Sequence, residues 1–182
     1  PTATVRAITS IAIDPKQGED VYVTIRDGGV ARYVAEQSAW HLLGGAPLNT
    51  ASFAALAVYE AKVLYIGDVE GVLTYDPQTM EWTNLGDTEP LLQQEFSAVV
   101  FDSEGTPYLG GKRGLLRGGS PLPWRWEVLF DRAPVRLVAT GADQRLFLVL
   151  GDDQAQEIGC LAAQGDRAGT FRRLPVTNWF LH

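Results

Sequence analysis

Val63-Leu64-Tyr65-Ile66-Gly67, a three-residue turn, Gly71-Val72-Leu73-Thr74-Tyr75-Asp76-Pro77, and then Glu81-Trp82-Thr83-Asn84-Leu85 read as three short strands in succession. The first two runs are rich in β-branched and aromatic residues. The glycines and acidic residues between them (Gly67-Asp68-Val69-Glu70-Gly71) suit a hairpin, because glycine reaches positive φ without steric cost. Asp76-Pro77-Gln78-Thr79 carries the proline and small polar residues of a second turn. Just upstream, Ala54 to Tyr59 supplies a fourth apolar segment, rich in alanine. Helical spacing at i, i+3, i+4, i+7 is sustained nowhere in the chain, and Leu91 to Phe96 suits a single turn in a connecting loop.

Outward from this run, the same markers return. Trp40, Trp82 and Trp126 lie 42 and 44 residues apart, and Phe171 follows 45 later. Gly29, Gly71 and Gly114 are separated by 42 and 43, each opening a short apolar run. A third series precedes them: Val21 to Ile25, Val63 to Ile66, Tyr108 to Gly110 and Leu146 to Leu150. Three independent markers with one period define a repeat.

Four short strands recurring every 42–45 residues indicate an all-β chain, a β-propeller of about four four-stranded blades. Blades converge on an axis, so their first strands should carry small residues, and Ala12, Ala55, Ala57, Ala98 and Ala139 occupy those strands. The tryptophans should fill the widening wedge between blades, which predicts burial for Trp40, Trp82 and Trp126. A β-sandwich also uses short alternating strands, but it has no reason to repeat its glycine and aromatic markers. The 182 residues are then one propeller domain, with blades at about 5–50, 51–95, 96–134 and 135–175. Residues 176–182 start a further blade or form a closing strand. The blades either close alone or belong to a larger ring. An open arc would leave strand edges and apolar flanks unpaired, which invites self-association. Pairing of Val176 to Leu181 with Thr2 to Ala7, or with another protomer, would satisfy the orphan strand.

Composition narrows the partners. Apolar residues make up 46% and charged residues 20%, as in an ordinary globular chain. The net charge is −7 and the cations are scattered, Lys112-Arg113 and Arg172-Arg173 being the only doublets, so the basic stripe of a nucleic-acid binder is missing. No apolar run is long enough to span a bilayer. No basic segment followed by an apolar one opens the chain at Pro1, so no signal peptide is legible and the compartment stays open. Cys160 is the single cysteine, which excludes an internal disulfide and any multi-cysteine metal site.

The run from Leu64 to Gly67, through Gly71 to Pro77, to Trp82 and Gly86 resembles blades of the Asp-box (sialidase-like), two-component-regulator and kelch propeller families. In Asp-box blades a glycine precedes a tryptophan by eleven residues, as Gly29 precedes Trp40 and Gly71 precedes Trp82. The Ser-x-Asp-x-Gly-x-Thr-Trp motif itself is replaced by Val34-Ala35-Glu36-Gln37-Ser38-Ala39-Trp40, while Tyr75-Asp76-Pro77 to Trp82 is nearer to kelch or regulator blades. The resemblance covers most of the chain and implies the fold. Propellers host catalysis, sugar binding and protein docking alike.

Catalytic and metal constellations are thin. His41 and His182 are isolated, and no glycine-flanked serine elbow occurs. Cys160 sits in an apolar strand and reads as a small hydrophobe. Gly110-Gly111-Lys112-Arg113-Gly114 has the glycines of an anion loop, but a strand rather than a helix follows, which makes it a hairpin turn. A sialidase-type hydrolase needs an arginine cluster for a substrate carboxylate. Arg6, Arg32, Arg117 and Arg136 are present with Tyr33 and Tyr75, without a matching catalytic motif; Arg32 and Arg117 hold equivalent blade positions. The turns between second and third strands carry Arg26-Asp27, Asp68 and Glu70, Lys112-Arg113, and Asp152-Asp153. Blade symmetry would set these eight residues around one face as a ligand face, although turns also favour Asp for conformational reasons. These features favour a non-catalytic binding or scaffold module, without a cofactor, offering a loop face to a protein or carbohydrate. The alternatives are a fragment of an Asp-box type glycosidase completed by further blades, and part of a sensor propeller.

Overall fold

The computed structural model describes residues 7–16, 20–26, 29–44, 55–67, 71–77, 79–119, 124–141, 143–152, 156–162 and 169–175. The chain is all-β, with four four-stranded antiparallel sheets in strict sequence order, the blades of a β-propeller fold. Blade 1 is β1 (Ile8–Ile13), β2 (Val21–Ile25), β3 (Gly29–Val34) and β4 (Ala39–Leu42); blade 2 is β5 (Ala55–Tyr59), β6 (Lys62–Gly67), β7 (Gly71–Asp76) and β8 (Glu81–Asn84). Blade 3 is β9 (Phe96–Phe101), β10 (Pro107–Gly111), β11 (Gly114–Gly118) and β12 (Trp126–Phe130); blade 4 is β13 (Val135–Thr140), β14 (Arg145–Gly151), β15 (Gln156–Ala162) and β16 (Phe171–Arg173). Helical structure among the described residues is confined to single 3-10 turns at Ala35–Gln37, Leu85–Asp87 and Pro90–Leu92. None is long enough to cross a membrane.

The glycine period has a backbone cause. Gly29, Gly71 and Gly114 open the third strands at φ of 101°, 78° and 110°, a region that side chains disfavour. At Gly114 a Cβ would also fall 1.9 Å from the carbonyl oxygen of Phe130, so the fourth strand could not pair as it does. The same register, Ile25 with Gly29, Gly67 with Gly71 and Gly111 with Gly114, brackets each turn.

The chain divides within β9 into two compact units, residues 1–99 and 100–182. In the first, blades 1 and 2 pack face to face. Tyr22, Val30 and Leu43 of blade 1, with Ala12 beside them, meet Leu56, Val58, Val63, Leu73 and Tyr75 of blade 2, with Trp82 at the margin. Cross-strand partners share a face, so Ala12 and Tyr22 mark the trailing face of blade 1, and Val58, Val63, Tyr75 and Trp82 mark the leading face of blade 2.

The second unit repeats the plan with different residues. Gly110 of blade 3 lies under Val135 of blade 4, where a Cβ would come within 2.8 Å of Val135 Cγ1. Val135, Leu146, Leu148, Leu150 and Leu161 are buried on the leading face of blade 4. Phe130 and Phe171 join the two blades at a ring separation of 5.6 Å.

Burial of the three tryptophans is uneven. Trp126 is 8% exposed beside Trp124, with ring centroids 6.0 Å apart, and Trp82 is half-buried. Trp40 is 54% exposed, against the burial expected from its place in the repeat. Among the described residues its ring partner is Tyr33 of its own sheet (centroids 5.3 Å), on the leading face of blade 1. Trp82 makes the same pair with Tyr75 at 5.0 Å, but blade 1 covers that face. The segments expected to close the fold, residues 2–6 and 176–182, lie outside the described residues.

Candidate functional site

Two of the turns between second and third strands are anchored by the main chain where they leave the second strand. The N–H of Arg26 donates to the carbonyl of Ala7 at 2.8 Å, and the N–H of Gly151 donates to that of Pro134 at 3.0 Å. Each bond ties the start of the turn to the residue that precedes the blade's first strand. In blade 3 the turn has only two residues, Lys112 and Arg113, both exposed at the tip between Gly111 and Gly114. The glycine-rich stretch is therefore a hairpin turn. Asp152 is exposed directly after β14. Asp27, Asp68, Glu70 and Asp153 lie outside the described residues. A rigid turn with two adjacent cations presents donors suited to carboxylates and other oxyanions.

Two of the four arginines weighed for a substrate carboxylate, Arg32 and Arg117, are occupied within their own blades. Arg32 donates from Nε to Asp20 Oδ2 at 2.9 Å, pairs with the same oxygen through Nη2, and lies over the ring of Tyr22. Arg117 donates from Nε to Glu127 Oε1 at 2.6 Å, directly across β11 and β12. Their equivalence in the repeat is real, and its product is an ion pair inside each blade. Tyr33 and Tyr75 are the tryptophan-stacking residues described above. Arg136 lies on β13, and Arg6 lies outside the described residues. His41 is exposed with Nε2 2.8 Å from Gln37 Oε1, and His182 lies outside the described residues. Cys160 is half-buried, not the enclosed small hydrophobe that its apolar strand suggested, and it stands in one cross-strand row with Ala139 and the exposed Phe147. Among the described residues no group of three or more His, Cys, Asp or Glu could hold a metal ion.

Two aspartates that composition did not single out prove central. Asp14, at the end of β1, is fully buried. Its Oδ1 accepts from the N–H of Lys16 (2.9 Å) and of Glu60 (3.1 Å), and its Oδ2 from the N–H of Ala61 (2.6 Å). Glu60 and Ala61 form the tight turn between β5 and β6, with φ of 49° and 62°. The carboxylate thus latches blade 1 to blade 2 through main-chain donors. Asp102 ends β9 in the same way. It accepts from the N–H of Glu104 and Thr106, both at 2.9 Å, and from the hydroxyl of Tyr108 at 3.1 Å. Burial first, then the charge of Asp102 and this bond, push the Tyr108 phenol far above its ordinary range. Burial likewise raises the Tyr22 phenol, with Arg32 opposing and Asp20 and Asp14 adding. The legible signal was an Asp at the end of a first strand, with a Tyr on the second. It occurs at Asp14/Tyr22 and Asp102/Tyr108, in alternate blades only.

No protein-family model matches the chain, and no curated protein sequence does. Solved structures do match. The chain is similar to the extracellular domain of the putative one component system BT4673 from B. thetaiotaomicron, with 14% identity and a TM-score of 0.64, over 91% of this chain and 22% of that one. It is also similar to PorZ, a surface component of the type-IX secretion system of Porphyromonas gingivalis, with 16% identity and a TM-score of 0.65, over 97% of this chain and 29% of that one. A third likeness is to U3-55K, at 9% identity and a TM-score of 0.60, over 86% of this chain and 49% of that one. The chain thus spans less than half the length of each. At these identities the likeness establishes the β-propeller fold.

Proposed function

We propose that the chain is a non-catalytic binding module whose second-to-third-strand turns engage a protein partner. The observation that carries this reading is the exposure of two adjacent cations, Lys112 and Arg113, at the tip of a two-residue turn bounded by Gly111 and Gly114. A short, tightly paired hairpin has little backbone entropy left to lose on binding. In the second unit Asp152 and Asp153 belong to the same class of turn, so the partner would carry both signs of charge. In the first unit Arg26, Asp27, Asp68 and Glu70 are their counterparts.

A sensor reading has one observation in its favour, the likeness to an extracellular domain of a putative one component system. It is a special case of the same binding role. The test compares the chain with Lys112→Ala/Arg113→Ala on peptide arrays rich in acidic residues and on glycan arrays, beside a screen of fluorogenic glycosides. Peptide binding that the double substitution weakens about tenfold or more supports the reading. Turnover of a glycoside, or binding indifferent to the substitution, overturns it.

A further inference from the structure

The linker that joins blade 3 to blade 4 is short and fixed at both ends. Only Asp131, Arg132, Ala133 and Pro134 separate β12 from β13. At one end the linker lies against Gly114, where a Cβ would fall 1.9 Å from the carbonyl oxygen of Phe130 and 3.0 Å from Cα of Asp131. At the other, Val135 lies on Gly110, and the carbonyl of Pro134 accepts from the N–H of Gly151 at 3.0 Å. Gly110 and Gly114 stand on the two strands that carry the Lys112-Arg113 turn. The linker therefore crosses the foot of that turn, and Arg132, exposed within it, joins the two cations at the same end of the blade.

A fourth cation follows on β13. Val135 pairs with Leu150 and Leu137 with Val149, which leaves Arg136 as the extra residue of a β-bulge. Blade 1 has a bulge at the same place, between Ile8 and Ser10, and fills it with Thr9, whose hydroxyl is 2.7 Å from that of Thr24 on the second strand. In blade 4 the position of Thr24 is held by Val149, whose side chain has no polar group to offer. Where blade 1 has a threonine bonded back to its own sheet, blade 4 thus places a half-buried arginine beside the linker.

Lys112, Arg113, Arg132 and Arg136 make this end of the second unit locally basic, in a chain whose net charge is −7. Among the described residues two exposed carboxylates border them, Asp131 in the linker and Asp152 after Gly151.

We propose that an acidic peptide segment lies across this turn and linker, with its carboxylates on Lys112, Arg113 and Arg132 and one end toward Arg136. The assignment rests on the binding role proposed above for the turn; it extends the site to the linker and commits it to carboxylates. A guanidinium donates two parallel hydrogen bonds to a carboxylate, and a backbone already fixed at both ends gives up little freedom on binding. Charge balance disfavours a long polyanion. Screening confines surface electrostatics to about 8 Å at physiological salt, so a short acidic segment feels only the local cations. A nucleic acid or a sulfated polysaccharide would run past them over a chain of its own sign. Asp131 and Asp152 repel further carboxylates at the margins, so a basic residue beside the acidic core should improve the fit.

Fluorescence anisotropy of a labelled oligo-aspartate peptide, with an oligo-asparagine peptide of equal length as control, tests this on the whole chain. The aspartate peptide should bind with a dissociation constant below about 1 mM in dilute buffer and weaken as salt is added. The asparagine peptide should not bind. Lys112 and Arg136 also interact within the fold, so the exposed Arg132 is the cleaner probe. Arg132→Ala should weaken binding about threefold and Arg132→Glu about tenfold or more, with circular dichroism unchanged. Arg136→Gln should weaken it about threefold. Binding lost on Lys112→Ala/Arg113→Ala but untouched by the Arg132 variants overturns the extended site and leaves the turn as the binding element. Binding indifferent to every variant overturns both readings. Equal binding of the asparagine peptide, or tighter binding of heparin than of the aspartate peptide, overturns the acidic-peptide assignment. So does no binding of the aspartate peptide up to about 1 mM, while a peptide of other chemistry captured through the turn would leave the binding role standing.

Discussion

Replacing Asp14 by alanine tests whether the blades are tied together by buried carboxylates. Three main-chain donors converge on this side chain, from Lys16 (2.9 Å), Glu60 (3.1 Å) and Ala61 (2.6 Å). A hydrogen bond to a charged group contributes about 1.5–3 kcal/mol net. Lys16 and Glu60 are exposed, so water can replace the lost acceptor at those two N–H groups. Ala61 is half-buried and its bond is the shortest, so most of the loss should fall there. The expected cost of Asp14→Ala is then about 2–4 kcal/mol, a large part of a typical stability of about 5–15 kcal/mol. Asp14→Asn should cost less, about 1–2 kcal/mol. It keeps one oxygen, but either amide orientation turns its NH2 toward a main-chain donor. Urea unfolding followed by tryptophan fluorescence gives the free energies, and hydrogen exchange locates the effect. Exchange at Ala61 should accelerate in both variants, more in Asp14→Ala. A change below about 0.5 kcal/mol in Asp14→Ala, with protection at Ala61 intact, would refute the latch.

Trp126→Ala should cost about 3–5 kcal/mol through lost transfer energy and a cavity, whereas Trp40→Ala should cost under about 1 kcal/mol. Urea titration measures both, and iodide should quench the Trp40 emission preferentially. Stability should also fall at alkaline pH. The folded-state pKa of Tyr108, and that of Tyr22, is raised by burial above the unfolded value of about 10. Their contribution is therefore full below about pH 10 and is lost as pH rises beyond it, because the unfolded chain releases the protons first. Tyr108→Phe should flatten that fall and cost about 1 kcal/mol at neutral pH, as thermal melts from neutral to strongly alkaline buffer would show.

Much of the architecture was legible because the repeat reflects local requirements. A third strand that starts at positive φ needs glycine wherever it occurs, so Gly29, Gly71 and Gly114 keep the period. The hairpin at Lys112-Arg113 was likewise readable from the glycines around it. Less of the candidate site could be read. Arg32 and Arg117 looked like recurring cations, but their partners Asp20 and Glu127 stand 12 and 10 residues away and meet them only through sheet pairing. Asp14 carries no local signal of its role, because its carboxylate serves a turn 46 residues further on.

Strand order, turn positions and the apolar content of each strand were determined by sequence alone, since alternation and turn chemistry act over a few neighbouring residues. Only the tertiary structure decided which apolar face is covered. Tyr33 with Trp40 and Tyr75 with Trp82 are the same pair in the same register, yet Trp40 is 54% exposed and Trp82 is half-buried. Burial of a sheet face depends on the presence of another sheet against it, and nothing within the strand records whether that neighbour is there.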